Sequence, residues 1–168
     1  LSLQIGLRYN HIFLYANFDN PFYVFPFAEA DIKTGALTGS AGLNWQASDN
    51  FSWRLNFSTA FRAPNIDDIG KIFDSEPGSV VVPNPDLKPE YAYNGELGAV
   101  LKLGDKTTID LTGYLTFLED ALVRRDFSID GQAEIIYQGE LSNVQAIQNG
   151  GKAQIYGFEA GIEVNFTK

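Results

Sequence analysis

The side chains that could perform catalysis or bind a metal are scarce in this chain of 168 residues. It contains one histidine, His11, and no cysteine or methionine. Without cysteine the chain has no disulfide scaffold, thiolate zinc site, iron–sulfur cluster or cysteine nucleophile. A single imidazole excludes every site that needs two, including HExxH zinc sites and iron sites with two histidines. The composition therefore removes most enzyme and metalloprotein classes.

The carboxylates do not form a catalytic or metal-binding pattern either. Glu119 and Asp120 are adjacent, so in a strand they point to opposite faces and cannot act together as a glycosidase pair. Four other aspartates are not spaced like the ligands of a calcium-binding loop: Asp19, Asp31, Asp67 and Asp68. We therefore expect no enzyme activity, no cofactor and no bound metal.

Charge and hydropathy exclude two further classes. Acidic residues outnumber basic ones by 21 to 12, which gives a net charge of −9 at pH 7. This balance argues against a nucleic acid partner, because phosphate binding needs clustered lysine and arginine. Aromatic residues make up 14% of the chain, yet no apolar run reaches the roughly 20 residues of a transmembrane helix. The many aromatic residues must therefore be spaced among polar ones.

Alternation of apolar and polar side chains is the main pattern along the chain. Between Phe51 and Phe61 the odd positions carry Phe, Trp or Leu, with one Thr, and the even positions carry small or polar residues. Successive side chains of a strand point to opposite faces, so this segment is predicted to be a strand with one apolar face. The same alternation recurs in five other segments, residues 1–10, 37–46, 91–103, 108–117 and 156–166.

The predicted strands are long and their connections alternate in length. About seven or eight strands are expected, most of about 10 to 15 residues, against about 5 to 6 in soluble proteins. Ala47–Asn50 and Gly104–Lys106 are tight polar turns, which indicate antiparallel hairpins. The connections over residues 19–35 and 62–90 are long, and residues 128–131 are predicted to form the tip of another long hairpin. Short turns at one end and long loops at the other are typical of an outer-membrane β-barrel.

Aromatic residues at the first tight turn favour the same architecture. Trp45, Phe51 and Trp53 lie where the aromatic girdle of a membrane interface would be. A soluble β-sandwich also has alternating strands, but with turns about every 8 to 12 residues. We predict an all-β fold, an antiparallel up-and-down meander within a transmembrane barrel. The pattern leaves open a self-contained module, either a small barrel of about eight strands or a soluble β-domain that binds a ligand or a protein.

Two proline-containing motifs frame the longest predicted loop. Phe61-Arg62-Ala63-Pro64 ends one strand, because proline cannot donate a ladder hydrogen bond. Asn84-Pro85-Asp86-Leu87-Lys88-Pro89-Glu90 closes the loop as a stiff, extended segment that leads into the next strand. Between the motifs, isoleucines three residues apart and two aspartates at its start predict a short helix over residues 65–73. We expect the motifs to terminate strands and anchor the loop rather than contact a substrate.

These two motifs also carry a family resemblance. Together with Glu96-Leu97-Gly98 and Ile155-Tyr156-Gly157-Phe158-Glu159, they resemble the C-terminal barrel half of TonB-dependent outer-membrane receptors. The resemblance covers most of residues 35–166. It implies a barrel of about 22 strands with an N-terminal plug domain folded inside it. It also implies binding and import of a scarce nutrient, such as siderophore-bound iron, cobalamin or a glycan, energised through TonB.

The resemblance also sets expectations for domain content, location and partners. Residues 1–168 would be a fragment of one β-barrel domain, with the plug domain, the TonB box and the final strands absent. The implied location is the bacterial outer membrane. The implied partners are outer-membrane lipid, a small-molecule nutrient and TonB, which acts through the absent N-terminal region. An isolated barrel fragment has open strand edges, so we expect it to associate with copies of itself.

Two sets of residues are candidates for the inside and the mouth of such a barrel. The polar strand faces would line the lumen, with Glu96, Asp110, Glu159 and Glu163 among them. Aromatic residues of the first long loop are candidates for stacking on a flat ligand, although packing on one another or extension of the interfacial girdle is the favoured interpretation. These are Phe22, Tyr23, Phe25 and Phe27. Residues 75–82 are expected to form either a binding loop or a hairpin within the loop.

Overall fold

The computed structural model describes residues 1–18 and 28–166, which contain nine β-strands and one short helix. No helix in these ranges has the length and apolar character needed to cross a membrane. The helix α1 (Ile66–Gly70) lies between the third and fourth strands. The strands are β1 (Ser2–Asn17), β2 (Glu29–Ser48), β3 (Phe51–Arg62), β4 (Phe73–Glu76), β5 (Ser79–Val82), β6 (Glu90–Leu103), β7 (Thr107–Asp126), β8 (Glu134–Tyr137) and β9 (Glu140–Val164).

Six long strands form the body of the sheet in the order β1-β2-β3-β6-β7-β9. Each is antiparallel to its neighbours, which confirms the predicted up-and-down meander. The sequence suggested about seven or eight long strands. The structure has six long strands, and three short ones, β4, β5 and β8, that belong to the long connections. Within the described sheet, β5 is the one strand that pairs in parallel, and its partner is the N-terminal part of β9.

In the body of the sheet, strand register places most apolar residues of the six long strands on one face, which we call the outer face. One row across this face consists of Leu43, Leu55, Leu97, Gly113 and Phe158. Leu97 and Phe158 of this row exceed half of full exposure, and many other apolar side chains of this face are exposed as well. An apolar face of this extent needs an apolar surrounding, because exposed apolar area is costly in water.

The opposite face, which we call the inner face, carries the polar residues. A representative row is Asn44, Arg54, Gly98, Thr112 and Glu159. Glu96, Asp110 and Glu163 belong to this face as well, as the alternation predicts. The sheet therefore separates an apolar side from a polar one, except at the loop end, where Ala16, Ala30 and Ile32 make the inner face apolar.

The short turns and the buried clusters lie at opposite ends of the sheet. The turns at Asp49–Asn50 and Gly104–Lys106 join long strands as predicted, and Gly104 supplies a φ of +64° that suits glycine. At the other end a bridge between Ile129 and Gln132 forms the predicted hairpin tip. Two hydrophobic clusters lie at this end: Val80, Val82, Ile129, Ile135, Tyr137, Val144 and Ala146, and Ala16, Ala30, Ile32, Ile69 and Leu87. The long connections are thus folded structure that packs on the ends of the strands.

Unpaired strand edges give the first prediction. Within the described residues β1 pairs only with β2, and the part of β9 beyond Ala146 pairs only with β7. Because such edges present free N–H and C=O groups, the isolated chain of 168 residues should associate in buffer without detergent. Light scattering should report dimers or larger species. A stable, monodisperse species of 18.6 kDa would contradict this expectation.

Candidate functional site

The two motifs that frame the long loop meet at its base. Arg62, the last residue of β3, is the register partner of Glu90, the first residue of β6. Arg62 Nη1 lies 3.3 Å from Glu90 Oε1. The other oxygen, Glu90 Oε2, accepts a hydrogen bond of 2.9 Å from the backbone N–H of Leu122 in β7. One carboxylate therefore connects three neighbouring strands where the loop leaves the sheet.

Arg62 also holds the helix of the loop. Its Nη2 donates to both carboxylate oxygens of Asp68, at 2.7 and 3.0 Å. Asp68 and Asn65 form a capping box, in which each side chain accepts from the backbone N–H of the other residue. The helix predicted over residues 65–73 is therefore present, although shorter, and its Ile69 is fully buried.

The electrostatics of this group keep Arg62 charged. Burial acts to lower the pKa of Arg62, but its hydrogen bond to Glu90 and the nearby carboxylates of Asp68 and Glu90 act in the other direction, and the net pKa is raised. The guanidinium thus remains a cation facing two carboxylates. Its Nη2 donates two charge-assisted hydrogen bonds to Asp68, while its Nη1 faces Glu90.

The second motif lies along β9 instead of projecting away from the sheet. Asn84 Nδ2 donates to the carbonyl of Ile147 at 2.8 Å, and Asn84 Oδ1 accepts from the N–H of Asp86 at 3.1 Å. The second bond closes a turn around Pro85. Lys88 contributes through its backbone, with its N–H donating to Asn149 Oδ1 at 2.7 Å and its carbonyl accepting from Asn149 Nδ2 at 2.7 Å.

Asn149 is a residue that sequence reasoning missed. Besides its bonds to both backbone groups of Lys88, Asn149 donates a hydrogen bond of 2.9 Å from Nδ2 to the carbonyl of Asp120. It sits where the β7–β9 register shifts, next to Gly150 at φ +127° and opposite Asp120 at φ +54°. The signal in the sequence was Asn149-Gly150-Gly151, which interrupts the alternation within a strand and marks a bulge.

The loop packs on the sheet through apolar contacts as well. Leu87, only 5% exposed, and the fully buried Ile69 join a cluster with residues of β1 and β2. These partners, Ala16, Ala30 and Ile32, have the parity of the inner face. Leu122 of β7 and Ile147 of β9 pack against the same cluster. The loop therefore lies against the inner face and contacts β1 and β2 on one side and β7 and β9 on the other.

Residues 73–82 form a hairpin of β4 and β5, so the loop-hairpin interpretation of this segment is confirmed. β5 adds to β9 in parallel between Ser79–Asn143 and Val82–Ala146. All four of its residues are buried. The candidate ligand aromatics Phe22, Tyr23, Phe25 and Phe27 lie outside the described residues, and their role stays a prediction.

Below the loop, the inner face carries two groups of bonded polar side chains. Arg54 forms an ion pair with Asp110, and Glu96 accepts from Asn94 at 2.9 Å. Thr116 donates to Asn94 at 2.7 Å. A concave surface with a volume of about 640 Å³ is lined by Arg54, Glu96, Asp110, Thr112, Tyr114 and Glu159, among others. Three of the four carboxylates predicted for the lumen thus come together on one polar wall.

No group of three or more His, Asp and Glu side chains is placed to hold a metal ion in residues 1–18 and 28–166. The site consists of a loop that is hydrogen-bonded to the sheet, above a wall of charged and amide groups. Such a surface can hydrogen-bond to a polar ligand or to another polar segment of protein.

Comparison with known proteins gives one family and a set of related folds. The family described as "TonB dependent receptor-like, beta-barrel" matches residues 1–167. No curated protein matches the chain. The likeness predicted from the motifs is confirmed by the family match, which extends beyond the residues that carried it.

Three solved structures that are similar to the chain are far longer than it is. The siderophore receptor PirA from Acinetobacter baumannii is 21% identical with a TM-score of 0.63, over 82% of this chain and 22% of that one. A double mutant of the Serratia marcescens hemophore receptor HasR, in complex with HasA and heme, is 17% identical with a TM-score of 0.69, over 95% and 28%. The FrpB iron transporter from Neisseria meningitidis is 18% identical with a TM-score of 0.62, over 98% and 21%. The chain therefore spans less than a third of each of these proteins.

The bonds of Asn149 give a prediction about loop stability. Asn149→Ala leaves the N–H and the carbonyl of Lys88 without their partner, so the loop should lose about 1–3 kcal/mol of local stability. Hydrogen exchange at residues 84–90 of the full-length protein should then be faster by about tenfold or more. Asn17→Ala, an exposed asparagine at the end of β1, is the matched control. Equal exchange in the two variants would show that Asn149 does not hold the loop.

Proposed function

Since the chain belongs to the family of TonB dependent receptor-like β-barrels, we propose that it is a segment of a bacterial outer-membrane receptor that binds a scarce nutrient and imports it with energy transmitted by TonB. The family is one of receptors rather than of enzymes. The observation that carries the proposal is the sheet of six long strands with an exposed apolar outer face and a charged inner face. Such a sheet suits a barrel wall between lipid and a wet lumen.

The remainder of the receptor is part of the same proposal. The chain spans 22%, 28% and 21% of the three similar structures described above. A plug domain and a TonB box would lie elsewhere in the full-length protein, and the charged inner wall around Arg54 and Asp110 suits contact with such a domain. Within the described residues, the unpaired edges of β1 and β9 disfavour one alternative, a self-contained small barrel, because a closed barrel has no edges. The exposed apolar outer face disfavours the other alternative, a soluble β-domain.

For the nutrient we propose an iron carrier in the first place. The similar structures include a siderophore receptor, a hemophore receptor in complex with heme, and an iron transporter. Cobalamin and glycans are the other candidates that the family resemblance raised. The loop aromatics Phe22, Tyr23, Phe25 and Phe27 would stack on the flat or apolar part of the ligand.

We assign the two motifs a structural role within the receptor. Phe61, Arg62, Ala63 and Pro64 end β3, and Asn84, Pro85, Asp86, Leu87, Lys88, Pro89 and Glu90 return the chain to β6. Support comes from the ion pairs of Arg62 and from the two backbone bonds of Lys88 to Asn149, which engage neighbouring strands. These bonds would keep the loop fixed while a ligand passes beneath it.

An uptake experiment tests the function. Cells that express the full-length receptor should bind and accumulate one member of a panel of labelled siderophores, heme, cobalamin and oligosaccharides. Deletion of TonB should abolish accumulation but leave surface binding intact, because binding needs no energy input. Accumulation that is independent of TonB, or the absence of binding to every member, would contradict the proposal. A mature protein that begins at Leu1 would instead favour the self-contained module.

A further inference from the structure

Two Asn-Gly steps occur in the chain, and both lie in strands. Asn94-Gly95 is in β6, and Asn149-Gly150 is in β9. Asparagine followed by glycine is the dipeptide that loses its side-chain amide most readily, because a residue without a Cβ lets its backbone nitrogen approach the asparagine side chain. The structure places the two steps in different surroundings.

The step in β6 is held on both sides by regular ladders. Asn94 pairs with Ser58 and Thr116, and no register shift interrupts the pairing of β6 with β3 or β7. Thr116 also donates to Asn94 Oδ1 at 2.7 Å, while Asn94 Nδ2 donates to Glu96 at 2.9 Å. Both the side chain of Asn94 and the backbone of Gly95 are therefore fixed within the sheet.

The step in β9 lies in a bulge. Asn149 and Gly150 together oppose one residue of β7, Leu122, and neither has a partner in the β7–β9 register. Gly150 is exposed and has a φ of +127°, a conformation that suits glycine. The ladder therefore does not hold this peptide bond as it holds Asn94-Gly95.

Contacts with the long loop hold the Asn149 side chain instead. Its Nδ2 donates to the carbonyls of Lys88 and Asp120, and its Oδ1 accepts from the N–H of Lys88. Two of these three bonds exist only while residues 84–90 are docked on β9. When the loop opens locally, the bond to Asp120 alone remains. The amide group can then turn toward the backbone nitrogen of Gly150.

We propose that Asn149 is a deamidation site that the docked loop protects. In the open loop the backbone nitrogen of Gly150 attacks Cγ of Asn149. The new N–Cγ bond closes a succinimide ring, the Cγ–Nδ2 bond breaks, and Nδ2 leaves as ammonia with the proton of the Gly150 amide. Water then opens the ring at either of its carbonyls and leaves aspartate or isoaspartate at position 149.

The product cannot hold the loop as asparagine does. A carboxylate has no proton to donate, so the bonds to the carbonyls of Lys88 and Asp120 are lost, and these oxygens face a negative charge. The bond from the Lys88 N–H can form again with aspartate, whereas isoaspartate lengthens the backbone and shifts the acceptor. Deamidation thus converts a reversible opening of the loop into a permanent one.

Peptide mass spectrometry of the full-length receptor, incubated in detergent micelles at mildly alkaline pH, measures the reaction at both Asn-Gly steps. Ile69→Ala removes the fully buried side chain that packs the loop against β1 and β2. The open population should rise, and with it deamidation at Asn149, by about tenfold or more. Deamidation at Asn94 should stay slow. The matched control is Ile162→Ala, an exposed position of the outer face, which should leave both rates unchanged.

Asn149→Asp reproduces one product directly. Hydrogen exchange at residues 84–90 should become about tenfold faster than in the unmodified receptor, because two donated bonds are lost. Asn94→Asp is the matched control and should leave this exchange unchanged, since the side-chain bonds of Asn94 lie within the sheet.

Either of two results would overturn the proposal. The first is deamidation at Asn149 that is no faster in Ile69→Ala than in Ile162→Ala. The second is exchange at residues 84–90 that is the same in Asn149→Asp as in Asn94→Asp.

Discussion

The register of the six long strands is the constraint on which the rest of the structure depends. Side chains of a strand alternate between faces, so a shift of one residue would exchange the apolar outer face and the polar inner face of that strand. The turns at Asp49–Asn50 and Gly104–Lys106 set the register of two strand pairs. Cross-strand pairs such as Trp45–Trp53 and Leu55–Leu97 continue it across the sheet.

No short turn joins β3 and β6, so polar contacts set the register of this pair. The connection over residues 63–89 separates the two strands in sequence, yet Arg62 and Glu90 form the first rung of their ladder and an ion pair. Closing a long loop costs little more than closing a short one. The loop is then fixed by Asn149 and by the cluster around Ile69 and Leu87. The same bonds that complete the register therefore also place the loop against the inner face.

The sequence predicted the central parts of the long strands and the tight turns because both follow from local patterns, such as the alternation from Phe51 to Phe61. The predicted connection over residues 19–35 was wrong from Glu29 onward, where β2 begins. It also marked the residues at the base of the loop, since prolines and the acidic start of a helix are local signals. It did not identify Asn149 as their partner, because that contact joins segments 61 residues apart. Nor did it predict the parallel pairing of β5 with β9, since a short apolar strand such as Ser79–Val82 fits many sheet edges. Local sequence patterns thus predicted the strands and turns. The contacts between segments far apart in the sequence could be identified only from the structure.

In the proposed receptor, the long strands cross a membrane with the outer face toward lipid. This orientation can be measured with spin labels placed one at a time along residues 93–103 of β6, in the full-length receptor within a bilayer. Odd positions such as Leu97 should be accessible to oxygen, and even positions such as Glu96 should be accessible to a water-soluble nickel chelate, with a period of two. Equal access of the nickel chelate at odd and even positions would contradict the account.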